Sequence, residues 1–133
     1  MMFLGEYEVS FTAPGRIVLP KKLREAIVSN SVVLTKGANE CLAGYEPRAW
    51  EKITESLMNN PLTDDVNLNR KRFLFSATSY VEIDDQGRFV IPKALLQFAT
   101  LDNSAVIIGV GDHFEIWNDE KWQSYNLTMG QKL

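Results

Sequence analysis

At 133 residues, 45% hydrophobic and 23% charged, the chain fits one compact domain or two very small units sharing a core. No apolar run approaches the roughly 20 residues of a membrane span, and the opening Met1-Met2-Phe3-Leu4-Gly5-Glu6 lacks the basic leader and apolar stretch of a secretory signal. The net charge of −3 excludes a uniformly basic nucleic-acid binder but not a local basic face, and a single cysteine, Cys41, predicts a reducing cytosol.

The first predicted strand runs through Tyr7, Val9 and Phe11, which alternate with Glu8, Ser10 and Thr12 at the period of a half-buried strand. Gly15 supplies a turn, and Arg16-Ile17-Val18-Leu19 follows as an apolar strand of the kind buried on both faces. Pro20 then opens a basic helix, about 20–29, in which Leu23 and Ile27 share one face while Lys21, Lys22 and Arg24 remain for solvent. No acidic residue falls between Phe11 and Arg24. A hairpin follows, Val32 to Thr35 and Cys41 to Tyr45, joined by Lys36-Gly37-Ala38-Asn39. Pro47 fits an early helical position, with Trp50, Ile53 and Leu57 at helical spacing behind it. Residues 59–65 have the composition of a linker, and a helix is predicted over Asn67 to Ala77, carrying Arg70-Lys71-Arg72.

The chain then repeats itself. A shift of 72 positions aligns residues 9–50 with 81–122 without a gap, with identities that include Gly15/Gly87, Arg16/Arg88, Val18/Val90, Pro20/Pro92, Lys21/Lys93, Leu23/Leu95 and Trp50/Trp122. The second unit is therefore predicted to contain a strand at Val81 and Ile83, the Gly87 turn, and a strand over Arg88 to Ile91. A helix about 92–100, strands at Ala105 to Ile108 and His113 to Trp117, and a helix capped by Asn118 complete it. Residues 126–133 show no pattern and read as a frayed tail. The fold class is mainly β with capping helices, an α+β arrangement of tandem duplicated units. The boundaries are 1–58 and 77–125, a helical linker at 59–76 and a tail at 126–133.

Packing explains the glycines, prolines and apolar residues of the repeated stretch, but it does not demand arginine beside each glycine. Arginine's planar fork can grip a phosphate or the O6/N7 edge of guanine, which makes Arg16 and Arg88 the candidate DNA contacts, with Lys21, Lys22, Arg24 and Lys93 around them. Asp84, four residues before Arg88, can pair with it and aim it, or merely cap the turn. Gly15 and Gly87 support the motif. Asp84-Asp85 as an acid–base pair finds no echo in the first unit, where Thr12-Ala13 stand. Cys41 and His113 occupy equivalent strand positions and read as packing sites. Nucleotide, metalloprotease, hydrolase and redox motifs are absent from the sequence. No enzyme, metal or cofactor is therefore expected. The tryptophans, Phe73 and Phe75 read as core or subunit contacts.

The doubled G-R-[IF]-V-[LI]-P-K, followed by V-I-I-G and F-E-I-W, resembles the MraZ family of bacterial transcriptional regulators. The likeness runs from about Phe3 to Trp122, and residues 69–75 are similar to the family's middle segment. The resemblance implies a double-split β-barrel, related to the swapped-hairpin folds of AbrB and MazE. It further implies a ring-shaped homo-oligomer, cytoplasmic and nucleoid-associated. That ring would bind double-stranded DNA at short repeated G-rich boxes in its own promoter and repress the division and cell-wall gene cluster. The family signature D-x-x-x-R is matched by Asp84 to Arg88; in the first unit Arg16 matches, with Thr12 in the aspartate position. Arg24 matches the family's arginine after Pro-x-x-Leu, and Leu96 takes its place in the second unit. The competing reading is an antitoxin-like or scaffold module, for which the eight residues after Tyr125 leave little inhibitory tail.

Overall fold

The computed structural model describes residues 1–59 and 65–133. Two β-branched apolar runs form its centre. Strand β3 (Ser31–Lys36) pairs with β4 (Leu42–Tyr45), and β7 (Ser104–Gly109) pairs with β8 (Phe114–Trp117). The hairpins join through β4 and β8, with Leu42 opposite Ile116.

The outer strands exchange between halves. Strand β1 (Glu6–Ser10) lies on β7 of the second half, while β5 (Ser79–Glu82) lies on β3 of the first. The resulting six-stranded sheet has the order β1-β7-β8-β4-β3-β5, and every pairing is antiparallel. The remaining strands, β2 (Arg16–Val18) and β6 (Arg88–Val90), pair only with each other, as a separate two-stranded ribbon. The architecture is mixed α+β, and the described strands form no single closed barrel.

The main core lies between ribbon, sheet and the two short helices. Ile17, Leu19, Leu23, Phe89, Ile91 and Leu95 meet Val32, Leu34, Ala105, Ile107, Phe114 and Ile116 there, all nearly or fully buried. A second cluster on the other face of β7 joins Val106 and Ile108 to Cys41, Trp117 and Trp122. Burial on both faces therefore belongs to β3 and β7, each with four successive buried residues. The expectation that residues 16–19 and 88–91 form such strands is corrected: within β2 and β6 only the central residue is buried. The core covers one side of the ribbon, and no element of the described chain covers the other.

The helices differ in extent from their sequence pattern. Pro20 and Pro92 sit one residue ahead of helix α1 (Lys21–Arg24) and helix α4 (Lys93–Phe98), in extended conformation. Helix α1 is one turn, shorter than expected; after it, Ala26 and Ile27 bond back three residues at 3.2 and 3.0 Å. The β-branched Ile27-Val28 and the Ser29-Asn30-Ser31 run that follow are poor helix formers. Leu23 and Leu95 still face the core as predicted.

Helix α2 (Pro47–Met58) begins as expected, with the Glu46 carboxylate accepting from the Arg48 N–H at 2.9 Å. Helix α3 spans Asp65–Phe75. Of the segment expected as a linker, 60–64 lie outside the described residues. Helix α5 (Asp119–Lys132) is capped by Asn118, which accepts from the Lys121 N–H at 3.0 Å. It absorbs the expected frayed tail: once Trp122 and Tyr125 anchor its first turns, the helical ladder propagates to Leu133 at one bond per residue. No helix among the described residues is long and apolar enough to cross a membrane.

Candidate nucleic-acid interface

The two repeated turns, 72 residues apart in sequence, meet on the β2–β6 ribbon. Its register sets Arg16 opposite Val90, Ile17 opposite Phe89 and Val18 opposite Arg88. Ile17 and Phe89 point inward and are buried. Strand alternation then puts Arg16, Val18, Arg88 and Val90 on the outer face, and both arginines are exposed. The arginines occupy one diagonal of this face, roughly 7–8 Å apart at the backbone by strand geometry. An open groove of about 590 Å³ runs beside the ribbon, lined by Arg16, Val81, Asp84, Arg88 and Val90 among others.

The turns are locally unlike. At the second, one Asp84 oxygen accepts from the Gln86 and Arg88 backbone N–H groups, each at 2.9 Å. The other oxygen receives the Arg88 Nε–H at 2.6 Å. Capping and aiming, alternatives in sequence, are thus both done by one carboxylate. Hydrogen bonds from the Arg88 backbone and then its side chain hold the Asp84 carboxyl below the usual range. With Nε engaged, the two terminal amino groups of Arg88 are the donors left for a partner. The first turn closes through backbone alone, the Arg16 N–H donating to Ala13 O at 2.9 Å. Arg16 enters no ion pair among the described residues.

Each turn is clamped by the opposite half. Gly15 and Gly87 have φ of +74° and +84°, the left-handed region that favours glycine. The Gly87 carbonyl accepts from Leu19 N–H and the Gly15 carbonyl from Ile91 N–H, both at 2.8 Å. A side chain lies over each glycine: Leu96 over Gly15, and Arg24 over Gly87. Arg24 also donates from Nη1 to Asp85 O at 3.1 Å, while its Nε is buried without a partner. Arg24 and Leu96 are thus the same buttress built from different residues. Lys21, Lys22 and Lys93 are exposed on α1 and α4, flanking the ribbon in sequence.

A family model described as "MraZ protein, putative antitoxin-like" matches residues 2–72 and 74–131. The chain belongs to the MraZ family. It is 39% identical over 128 residues to the transcriptional regulator MraZ of Roseiflexus castenholzii, covering 96% of this chain and 89% of that protein. The Lactiplantibacillus plantarum protein of that name is 40% identical over 124 residues, covering 93% of this chain and 87% of the relative. That of Acetivibrio thermocellus is 39% identical over 125 residues, covering 94% and 87%.

Elsewhere on this MraZ chain, Cys41 is fully buried, and burial drives its thiol pKa far above the ordinary value. His113 departs from the apolar packing site expected of it. It precedes β8, stacks on Tyr45 at 5.0 Å, and lies between Asp112 and Glu115 at 2.7 and 3.0 Å. The Glu115 hydrogen bond raises the His113 pKa, against the opposing effect of burial. Burial pushes the Glu115 carboxyl up, but hydrogen bonds from His113 and Trp117 outweigh it and hold the carboxyl low. The flanking Asp112 and Glu115 were the sequence signal for this network. No cluster of three metal-ligating side chains occurs among the described residues. Trp50, Trp117 and Trp122 are buried as expected; Phe73 is 58% exposed, with Lys36 Nζ 4.1 Å from its ring centroid. Arg70 and Arg72 are exposed on α3, away from the ribbon in sequence.

Proposed function

We propose that the chain is a sequence-specific DNA-binding repressor whose β2–β6 ribbon is the reading head. One observation carries this: register pairing unites the Gly-Arg turns of both halves on a single exposed face. A major groove about 12 Å wide admits a two-stranded ribbon, and arginine paired with guanine O6/N7 is the commonest specific contact there. Arg16 and Arg88 are assigned to base edges, and Lys21, Lys22 and Lys93 to phosphates. Arg24 borders them as the buttress of the second turn.

The matched order of elements in the two halves supports a duplicated unit, and the strand exchange agrees with the swapped hairpins of the double-split barrel. We assign the DNA to repeated G-rich boxes upstream of the chain's own division and cell-wall cluster, and the protein to the cytoplasm and nucleoid. A ring of copies would gather several ribbons on one surface, so that modest single contacts gain avidity and a net-acidic subunit can present a basic face. The groove lined by Tyr45, Trp50, Ile53, Leu57, Leu74 and His113 supports such self-association, because Ile53 of α2 is 44% exposed beside it.

The test is a gel shift on the DNA upstream of this chain's gene, comparing wild type with Arg16→Ala, Arg88→Ala and the double variant. Specific binding should fall in each single variant, more steeply in Arg88→Ala, and vanish in the double. It should also fall steeply with salt, with a logarithmic slope of roughly 0.9 per neutralised phosphate. Undiminished specific binding by the double variant would refute the ribbon as reading head.

A further inference from the structure

The outer face of the ribbon presents four side chains, and two are valines. Val90 is 49% exposed and stands directly opposite Arg16; Val18, half-buried, stands directly opposite Arg88. Directly opposed side chains on an antiparallel pair have Cβ atoms roughly 4.5–5.5 Å apart. Each arginine therefore has a small branched apolar group beside it, and the valines fill the diagonal the arginines leave open. The solvated face of β1 looks different, its exposed positions being Glu6, Glu8 and Ser10, whereas β5 exposes Tyr80 beside Glu82. Valine suits a strand, but it offers a phosphate no contact. Nor does the core need these side chains, since Ile17 and Phe89 alone of the ribbon's paired residues are deeply buried.

Resting on the DNA-binding reading above, we propose that Val90, with Val18 as its counterpart, recognises the 5-methyl group of thymine beside the guanines held by Arg16 and Arg88. In the major groove thymine is the base that offers an apolar knob, and small apolar side chains are the groups that meet it. The geometry fits the division of labour. Asp84 ties Arg88 by Nε, so its terminal amino groups supply the polar contacts, and the opposing strand supplies the apolar one within the same short span. The ribbon thereby distinguishes guanine followed by thymine from guanine followed by cytosine, which a pair of arginines alone would read alike.

The experiment uses the upstream DNA of this chain's gene amplified in two forms, one with dTTP and one with dUTP, which differ only in the thymine methyls. Affinities are measured by fluorescence anisotropy with the full chain at one fixed salt concentration. Wild type should bind the uracil form more weakly, by roughly fourfold for each methyl buried, the equivalent of one buried methylene. Val90→Ala should bind more weakly to the thymine form and lower the ratio between the forms, and Val90→Ala combined with Val18→Ala should bring it closest to one. Any effect of uracil on groove shape would persist in Val90→Ala, so the change in ratio isolates the side chain. Specific binding by wild type with no preference for the thymine form overturns this inference and leaves the DNA-binding reading standing. So does a preference that Val90→Ala leaves unchanged, including the case where that variant instead alters the assembly seen by size-exclusion chromatography. Failure of wild type to bind either form specifically overturns the DNA-binding reading and this inference with it.

Discussion

Replacing each turn glycine by alanine separates two costs that the structure makes unequal. Both Gly15 and Gly87 have positive φ, so alanine at either pays about 1–2 kcal/mol for left-handed backbone. The added Cβ then meets different surroundings. At Gly15 the nearest atoms would be Ile91 O at 3.1 Å and a Leu96 methyl at 3.3 Å, tight contacts that small shifts relieve. At Gly87 it would lie 2.6 Å from Arg24 Cδ and 2.8 Å from Leu19 O. Arg24 can swing aside, but Leu19 O belongs to backbone, and Leu19 N–H is itself bonded to Gly87 O. Overpacking of that kind adds about 1–3 kcal/mol. Gly87→Ala should therefore cost about 2–5 kcal/mol in all, and Gly15→Ala close to the backbone share alone. Urea unfolding followed by tryptophan fluorescence, at one protein concentration, resolves them: with a slope of about 2 kcal/mol per molar, the midpoints should fall by about 1–2.5 M at Gly87 and by no more than about 1 M at Gly15. Equal losses, or a larger loss at Gly15, would refute the idea that backbone carbonyl contact governs the second turn.

Two further predictions concern residues the sequence pattern undervalued. Arg24→Leu copies the buttress already present as Leu96 and removes a buried, unpartnered Nε; it should cost less than about 1 kcal/mol, the worth of one ordinary hydrogen bond. Arg24→Ala should cost more, because it uncovers Gly87, and the reverse order in urea midpoints would sink the buttress assignment. His113 has a pKa raised above its ordinary 6.5 in the folded state, so the stability it contributes is full below that value and is lost as pH rises through the raised one. Urea midpoints measured from about pH 6 to pH 9 should fall across that window in wild type and fall less in His113→Gln; a parallel decline in both would deny the network its part.

What the sequence disclosed was what is local. Gly15, Gly87 and the Asp84-to-Arg88 spacing were legible because turn, glycine and carboxylate interact within five residues. The hairpins β3–β4 and β7–β8 were legible for the same reason. Arg24 over Gly87 was not, since 63 positions separate them and an arginine in a basic helix looks solvent-bound from sequence alone. The exchange of β1 and β5 was hidden from the strand pattern, though a swapped arrangement was implied by the resemblance: alternation says that a strand has one buried face, not which neighbour it pairs with. The apolar runs 16–19 and 88–91 misled for a related reason, because Val18 and Val90 look like core residues until the register turns them outward. Thr12 stands where the second turn has Asp84, and the first turn closes through backbone before Arg16.

The exchange of strands has a consequence for how the molecule is made. The ribbon forms only when Arg16–Val18 find Arg88–Val90, and β3 waits for β5 just as β7 waits for β1. Residues 1–58 emerging from a ribosome therefore have no complete sheet to join, and pairing over such distances is slow because the loop must be closed first. A chain that stops before β6 carries Arg16 without the strand that pairs with β2. Only a polypeptide that has reached β6 carries both arginines, so the layout ties completion of the ribbon to completion of the second half.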